Sequence, residues 1–233
     1  MARKKTFKPK VNYSKTFREI AMDFANPLEI FRESLSNAFD WGATEFNISI
    51  ETEEIDGLRK LVITLEDNGV GMSEDQLRNN FWDLGNSCSV GDDEKIGEKG
   101  HGTKIYLKSD KITVKTFHSD GAFECICVNP FVSLNNGNRH NIVFQEIENR
   151  EHTGTIIRLE GYNNNDKKHF TNFEVKDYLL WFTKLGSFEE IFHSNSKKID
   201  VLLKALDDDS TERIDFGHVF PEESGTPTQL MDD

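Results

Sequence analysis

Glu33, Asn37 and Asp40 recur at helical spacing within Glu33-Ser34-Leu35-Ser36-Asn37-Ala38-Phe39-Asp40, so the three share one helix face. Asn37 offers a neutral amide oxygen suited to a hard cation. Magnesium takes octahedral oxygen ligands and shares them among one or two protein groups, waters and phosphates. Glu33, one turn away, can take a proton from an attacking water. A solvated polar helix face is the alternative for the same residues. Further along, Asp67 ends an alternating apolar run and opens Asp67-Asn68-Gly69-Val70-Gly71-Met72. An ionised aspartate only accepts hydrogen bonds, so at a pocket floor it selects a donor such as the exocyclic amine of adenine. Gly69 and Gly71 would let the backbone pass close to a ring, and Met72 adds a soft apolar surface. An ordinary Asp-Asn-Gly turn is the alternative here.

A third patch, Gly97-Glu98-Lys99-Gly100-His101-Gly102-Thr103-Lys104, looks at first like a P-loop. A P-loop needs Gly-Lys followed by Ser or Thr after a buried strand. Here Gly102 is followed by Thr103 and then Lys104, and a polar stretch precedes the glycines, so that assignment is rejected. What remains is a glycine-rich turn leading into Thr103-Lys104-Ile105-Tyr106-Leu107, read as a helix start. Backbone N–H groups at such a start attract phosphate, and Lys99 and Lys104 would add positive charge.

The elements that must position these patches follow from periodicity. Ser14 to Phe24 carries Phe17, Ile20, Ala21 and Phe24 at helical spacing. Asn26-Pro27-Leu28-Glu29 is a helix start with a reciprocal cap, and the helix behind it buries Leu28, Phe31, Leu35 and Ala38 before Gly42 ends it. Phe46, Ile48 and Ile50 alternate with polar residues, Asp56-Gly57 turns the chain, and Leu61, Ile63 and Leu65 resume the alternation as a hairpin. Ser73 with Gln76 opens a short helix to about Leu84. Residues 85–103 form a long polar loop. Strands are expected over Lys111–Phe117, Phe123–Val128, Asn141–Ile147 and Thr155–Leu159, a helix capped by Thr171 and Glu174, and one more strand over Ile199–Leu203. The pattern is an α+β two-layer sandwich, a mixed and mostly antiparallel sheet with helices on one face. We divide the chain into a flexible arm (1–13), a main domain (14–162), a helical and strand extension (163–205) and an acidic tail or linker to a following domain (206–233).

Composition narrows the partners. A net charge of −13 over 233 residues disfavours a general nucleic-acid or anionic-membrane surface. Cys88, Cys125 and Cys127 form no CxxC pair and read as reduced thiols, and no apolar run approaches a membrane span or signal core. A cytoplasmic protein with no membrane contact is expected.

Together the patches resemble the GHKL ATPases, the group of gyrase, the ninety-kilodalton heat-shock chaperone, histidine kinases and MutL. The first patch is similar to the family's N-box, with Glu33 as base and Asn37 as magnesium ligand. Asp67 to Met72 resembles the first glycine box, whose acid reads adenine, and Ile96 to Gly102 resembles the second, at the hinge of the ATP lid. Thr153-Gly154-Thr155-Ile156-Ile157 is similar to the late Gly-Thr strand, where Thr155 would support the acid. The nearest likeness is to MORC-like and bacterial chaperone-like ATP-binding domains. The resemblance implies a Bergerat-type fold with ATP and Mg²⁺ as cofactors. Glu33 would be catalytic, Asn37 the metal ligand, and Asp40, Asp67, Gly69, Gly71, Met72, Gly97, Lys99, Gly100, His101, Gly102, Thr103, Lys104 and Thr155 nucleotide contacts. It further implies slow hydrolysis, ordering of residues 85–103 by ATP, and an ATP-dependent homodimer. MORC-like kinship brings in DNA as a partner, which the net charge does not support. Two other readings stay open. One is an ATP-sensing module without turnover. The other is a histidine-kinase-type phosphotransferase, which fits less well because only 32 residues precede Glu33.

Overall fold

The computed structural model describes residues 6–8, 10–84, 101–188 and 197–217. Its frame is one eight-stranded sheet built from β1 (Glu45–Ile55), β2 (Leu58–Asp67), β3 (Lys111–His118), β4 (Gly121–Val128), β5 (Ile142–Ile147), β6 (Gly154–Glu160), β7 (Asp200–Lys204) and β8 (Glu212–Ile214). The spatial order is β5-β4-β3-β6-β2-β1-β7-β8. β1 and β7 run parallel, and every other neighbouring pair is antiparallel. The sheet is therefore mixed and mostly antiparallel, as the alternation implies.

The hairpin β1–β2 turns on Asp56 and Gly57, at φ of 53° and 75°, the mirror-image turn that matches strand twist. Alternation then sorts the faces. Phe46, Ile48, Ile50, Leu61, Ile63, Leu65, Ile112, Val114, Cys125, Cys127, Ile157, Leu159, Val201 and Leu203 are all buried. Each fully buried aliphatic side chain stabilises by about 2 kcal/mol, and a one-residue slip would expose a whole strand's set, so the register is strongly fixed. The opposite face is laced with charge. Arg158 reaches Glu53 in two bonds of 2.8 and 2.6 Å, Lys111 lies 3.3 Å from Glu160, and Lys115 lies 3.5 Å from Glu124.

Helices cover the apolar face. Asn12 accepts the Lys15 N–H at 3.0 Å and opens α1 (Tyr13–Asp23). The expected reciprocal bonds form just ahead of α2 (Glu29–Asp40), where Asn26 Oδ1 accepts from Leu28 at 2.9 Å and Glu29 accepts from Asn26 at 3.1 Å, but the regular helix starts two residues later than expected, with Leu28 at its N-cap. α2 buries Ile30, Phe31, Ser34, Leu35, Ala38 and Phe39. Ser73 and Gln76 form a complete capping box on the single turn α3 (Glu74–Gln76), but the chain then widens into a π-helical turn, Leu77–Phe81. The expected helix start near Thr103 is a 3-10 helix, Gly102–Lys108. The short α4 (Pro130–Asn135) has no counterpart in the sequence reading, whereas α5 (Asn172–Phe182) begins on Thr171 as expected. β8 lies within the stretch expected to be an acidic tail, where it pairs with β7 and buries Ile214.

Candidate functional site

Strand parity carries Asp67 to the helix-covered face. It follows Leu61, Ile63 and Leu65 at two-residue steps, and its cross-strand partner on β1 is the buried Phe46. On the other side, Asp67 pairs with Thr155 of β6, and Thr155 pairs with Thr116 of β3. A polar row, Asp67–Thr155–Thr116, thus crosses an otherwise apolar surface. The two hydroxyls lie 3.5 Å apart, and Thr116 Oγ1 accepts the Met72 N–H at 2.6 Å. Asp67 Oδ1 accepts the Gly69 N–H at 2.9 Å. Burial pushes the Asp67 carboxyl up to about 6, against backbone hydrogen bonds from Gly69 and Thr155 that pull it down. Thr155 was expected to support the acid. Its backbone supplies that support, while its hydroxyl faces Thr116.

The glycines after Asp67 answer to the protein's own backbone. A β-carbon on Gly71, which sits at φ +72°, would lie 2.2 Å from the Phe117 carbonyl oxygen, and one on Gly69 would lie 2.9 Å from that of Trp41. Asn68 fastens the same loop by accepting from the Thr44 and Glu45 N–H groups at 2.8 and 3.0 Å. Gly71→Ala combines left-handed backbone strain with a backbone clash, so it should destabilise the protein by about 2–4 kcal/mol. Urea denaturation measures this, and a loss below about 0.5 kcal/mol, the ordinary scatter of surface changes, would show that the loop is free to shift.

On α2, Glu33, Asn37 and Asp40 are part-buried at the margin of the packed face. Arg32 holds Glu33 Oε1 through bonds of 3.2 and 2.9 Å. The other carboxylate oxygen, Oε2, lies against the 3-10 helix, since a β-carbon on Gly102 would sit 2.2 Å from it. One helical turn further, Tyr106 is buried with its hydroxyl 2.8 Å from Ser34 Oγ. Burial raises the Tyr106 hydroxyl, and the charges of Glu33 and Asp67 both add to the rise. One phenol therefore stands within the field of both carboxylates.

Lys104 is corrected. It was expected to face phosphate, but it is only 2% exposed, and its ammonium donates to the Phe81 carbonyl at 2.8 Å and to Thr103 Oγ1 at 2.9 Å. Burial lowers it to about 7, with Asp83 opposing. Thr103 likewise donates to the Phe81 carbonyl at 2.8 Å, so both residues tie the 3-10 helix to the end of the π-helical turn. His101 and Gly102 are part-buried at the start of that helix, and the His101 carbonyl accepts the Lys104 N–H at 3.0 Å. Gly97, Lys99 and Gly100, like Cys88, lie outside the described residues. Among the described residues no group of three or more His, Cys, Asp or Glu could hold a metal.

The family model described as histidine kinase-, DNA gyrase B-, and HSP90-like ATPase matches residues 28–153. The chain belongs to this GHKL ATPase family. The matched span runs from the start of α2 to the residue before β6, so it takes in Glu33, Asn37, Asp67 and the 3-10 helix. No curated protein gives a match. No helix among the described residues of this GHKL domain is long and apolar enough to cross a membrane. Sequence reasoning missed Ser34, Asn68, Thr116 and Tyr106 as parts of the site. Thr116 and Tyr106 carry no local signal; only the register of β3 with β6 and the packing of the 3-10 helix against α2 bring them in.

Proposed function

We propose that the chain binds ATP with Mg²⁺ and hydrolyses it slowly, within the MORC-like branch of the GHKL family. The observation that carries this is that Glu33 lies against Gly102 of the 3-10 helix while Asp67 opens a polar row with Thr155 and Thr116 on the helix-covered sheet face, all but Thr155 within the span that the family model matches. Asp67 keeps acceptor capacity beyond its two backbone bonds, which suits an adenine amine at the sheet side. Asn37 would hold the cation, with Asp40 beside it on the same face. Met72 would line the ring side, and Gly102 at the start of the 3-10 helix would face the phosphates. Glu33 would orient a water and take its proton. When bound, magnesium would supply charge neutralisation of the phosphate oxygens. We further propose, by family kinship, that nucleotide binding drives homodimerisation. A cytoplasmic setting agrees with the free, buried Cys125 and Cys127.

The test is calorimetric titration with Mg-ATP across pH. The sign follows from Asp67. Its carboxyl is raised from 3.8 to about 6 in the fold, so the folded state holds more protons than the unfolded state between those values. Its stabilising contribution is therefore full below 3.8 and is lost as pH rises through about 6. Nucleotide recognition needs the ionised acceptor, so affinity should move the opposite way and rise through about pH 6. An affinity flat between pH 5 and 8, or no heat at millimolar Mg-ATP, would overturn the reading.

A further inference from the structure

Ser34 and Tyr106 form a contact that the proposed chemistry does not itself use. Ser34 is 4% exposed and Tyr106 1%, so their hydrogen bond is sealed from water. Its direction is fixed. The Ser34 hydroxyl donates to the Ile30 carbonyl at 2.6 Å within α2, which leaves its oxygen to accept from the Tyr106 hydroxyl at 2.8 Å. Ser34 is the neighbour of Glu33, and Tyr106 is one turn beyond Gly102, the residue packed against the Glu33 carboxylate. Two successive residues of α2 are thus each held by the 3-10 helix, one by backbone contact and one by a buried hydrogen bond. The ring of Tyr106 also stacks on Phe81 at 5.8 Å between centroids with an interplanar angle of 16°, and Thr103 and Lys104 both bond the Phe81 carbonyl. The 3-10 helix is therefore pinned on one side to the π-helical turn, and the Ser34 hydroxyl is its polar tie to α2.

We propose that the Ser34–Tyr106 pair is a positioning device that holds the Glu33 carboxylate at a set distance from Gly102 at the start of the 3-10 helix, and so governs turnover rather than nucleotide affinity. This rests on the reading of Glu33 as the base. Without the bond, α2 and the 3-10 helix can slide by a fraction of an ångström. The Glu33 carboxylate, packed against Gly102, then loses its fixed place relative to the 3-10 helix. Neither Ser34 nor Tyr106 needs to touch the nucleotide for this.

The test compares Tyr106→Phe and Ser34→Ala with Glu33→Ala in the full chain, measuring Mg-ATP affinity, kcat, and the melting temperature. Tyr106→Phe keeps the ring stack and leaves Ser34 its bond to Ile30, so it should fold. Its kcat should fall by about ten- to a hundredfold, as small displacements of a reacting group do, with Kd for Mg-ATP within about twofold. Ser34→Ala should give the same split, and the double variant should be no worse than either single change, because both remove one bond. An unchanged kcat in Tyr106→Phe, with Glu33→Ala inactive, would overturn the inference and leave the base reading standing. A parallel loss of affinity, melting temperature and kcat would mark the pair as mere packing and also overturn it. Turnover retained in Glu33→Ala would remove the base reading, and this inference with it.

Discussion

Replacing Asp67 with asparagine is expected to weaken Mg-ATP binding by about 100-fold, near 3 kcal/mol, while leaving the free protein folded and more stable. The two effects share one cause. Burial holds the Asp67 carboxyl at about 6, so near pH 7 the fold carries an ionised group in surroundings that disfavour charge. Asparagine removes that penalty and can keep the acceptor bond from the Gly69 N–H. It also removes the charge that makes a hydrogen bond from an adenine amine strong, and its own amide N–H would compete for the same place. Calorimetry for affinity and thermal denaturation for stability read the two together. A rise in melting temperature with a fall in affinity cannot come from misfolding. Affinity within about threefold of wild type would show that Asp67 does not read the base, and a fall in both quantities would make it a structural residue only.

Changing Glu33 to alanine should leave Mg-ATP affinity within about threefold and reduce kcat by about 10²–10⁴-fold, the range a positioned general base contributes. The fold should tolerate the change. Arg32 loses Glu33 but keeps Glu29 at 3.0 Å, so its guanidinium is not left unpaired. Gly102 merely loses a neighbour. Phosphate release under single-turnover conditions measures the effect directly. Persisting turnover would remove Glu33 from the chemistry. A wild-type protein that binds but never turns over would make the chain an ATP sensor, and label from γ-phosphate retained on the protein would make it a phosphotransferase.

The elements that hold the site were largely legible because each is written in local chemistry. The reciprocal bonds at Asn26, the turn at Asp56-Gly57, the capping box at Ser73 and the alternation of β1 and β2 depend on neighbours within a few residues, and each stands where the sequence puts it. Where a longer-range term competed, the reading went astray. The helix from Ser73 gives way to a π-helical turn whose last carbonyl is taken by Thr103 and Lys104, more than twenty residues further along the chain. Ile214 pulls part of the acidic tail into the sheet because its burial outweighs the polar residues around it.

The sequence by itself determined which residue types are at hand: a helix face of Glu33, Asn37 and Asp40, an acid at a strand end, and glycines after that acid and at the start of the 3-10 helix, all within a GHKL domain. Those are matters of residue type and spacing, and they survive any packing. Tertiary structure alone decided what each polar group faces. It turned Lys104 inward to a carbonyl, set Gly69 and Gly71 against the backbones of Trp41 and Phe117, and brought Tyr106 within the fields of both carboxylates. The reason is that a side chain's partner is fixed by strand register and helix docking, which pair residues dozens of positions apart.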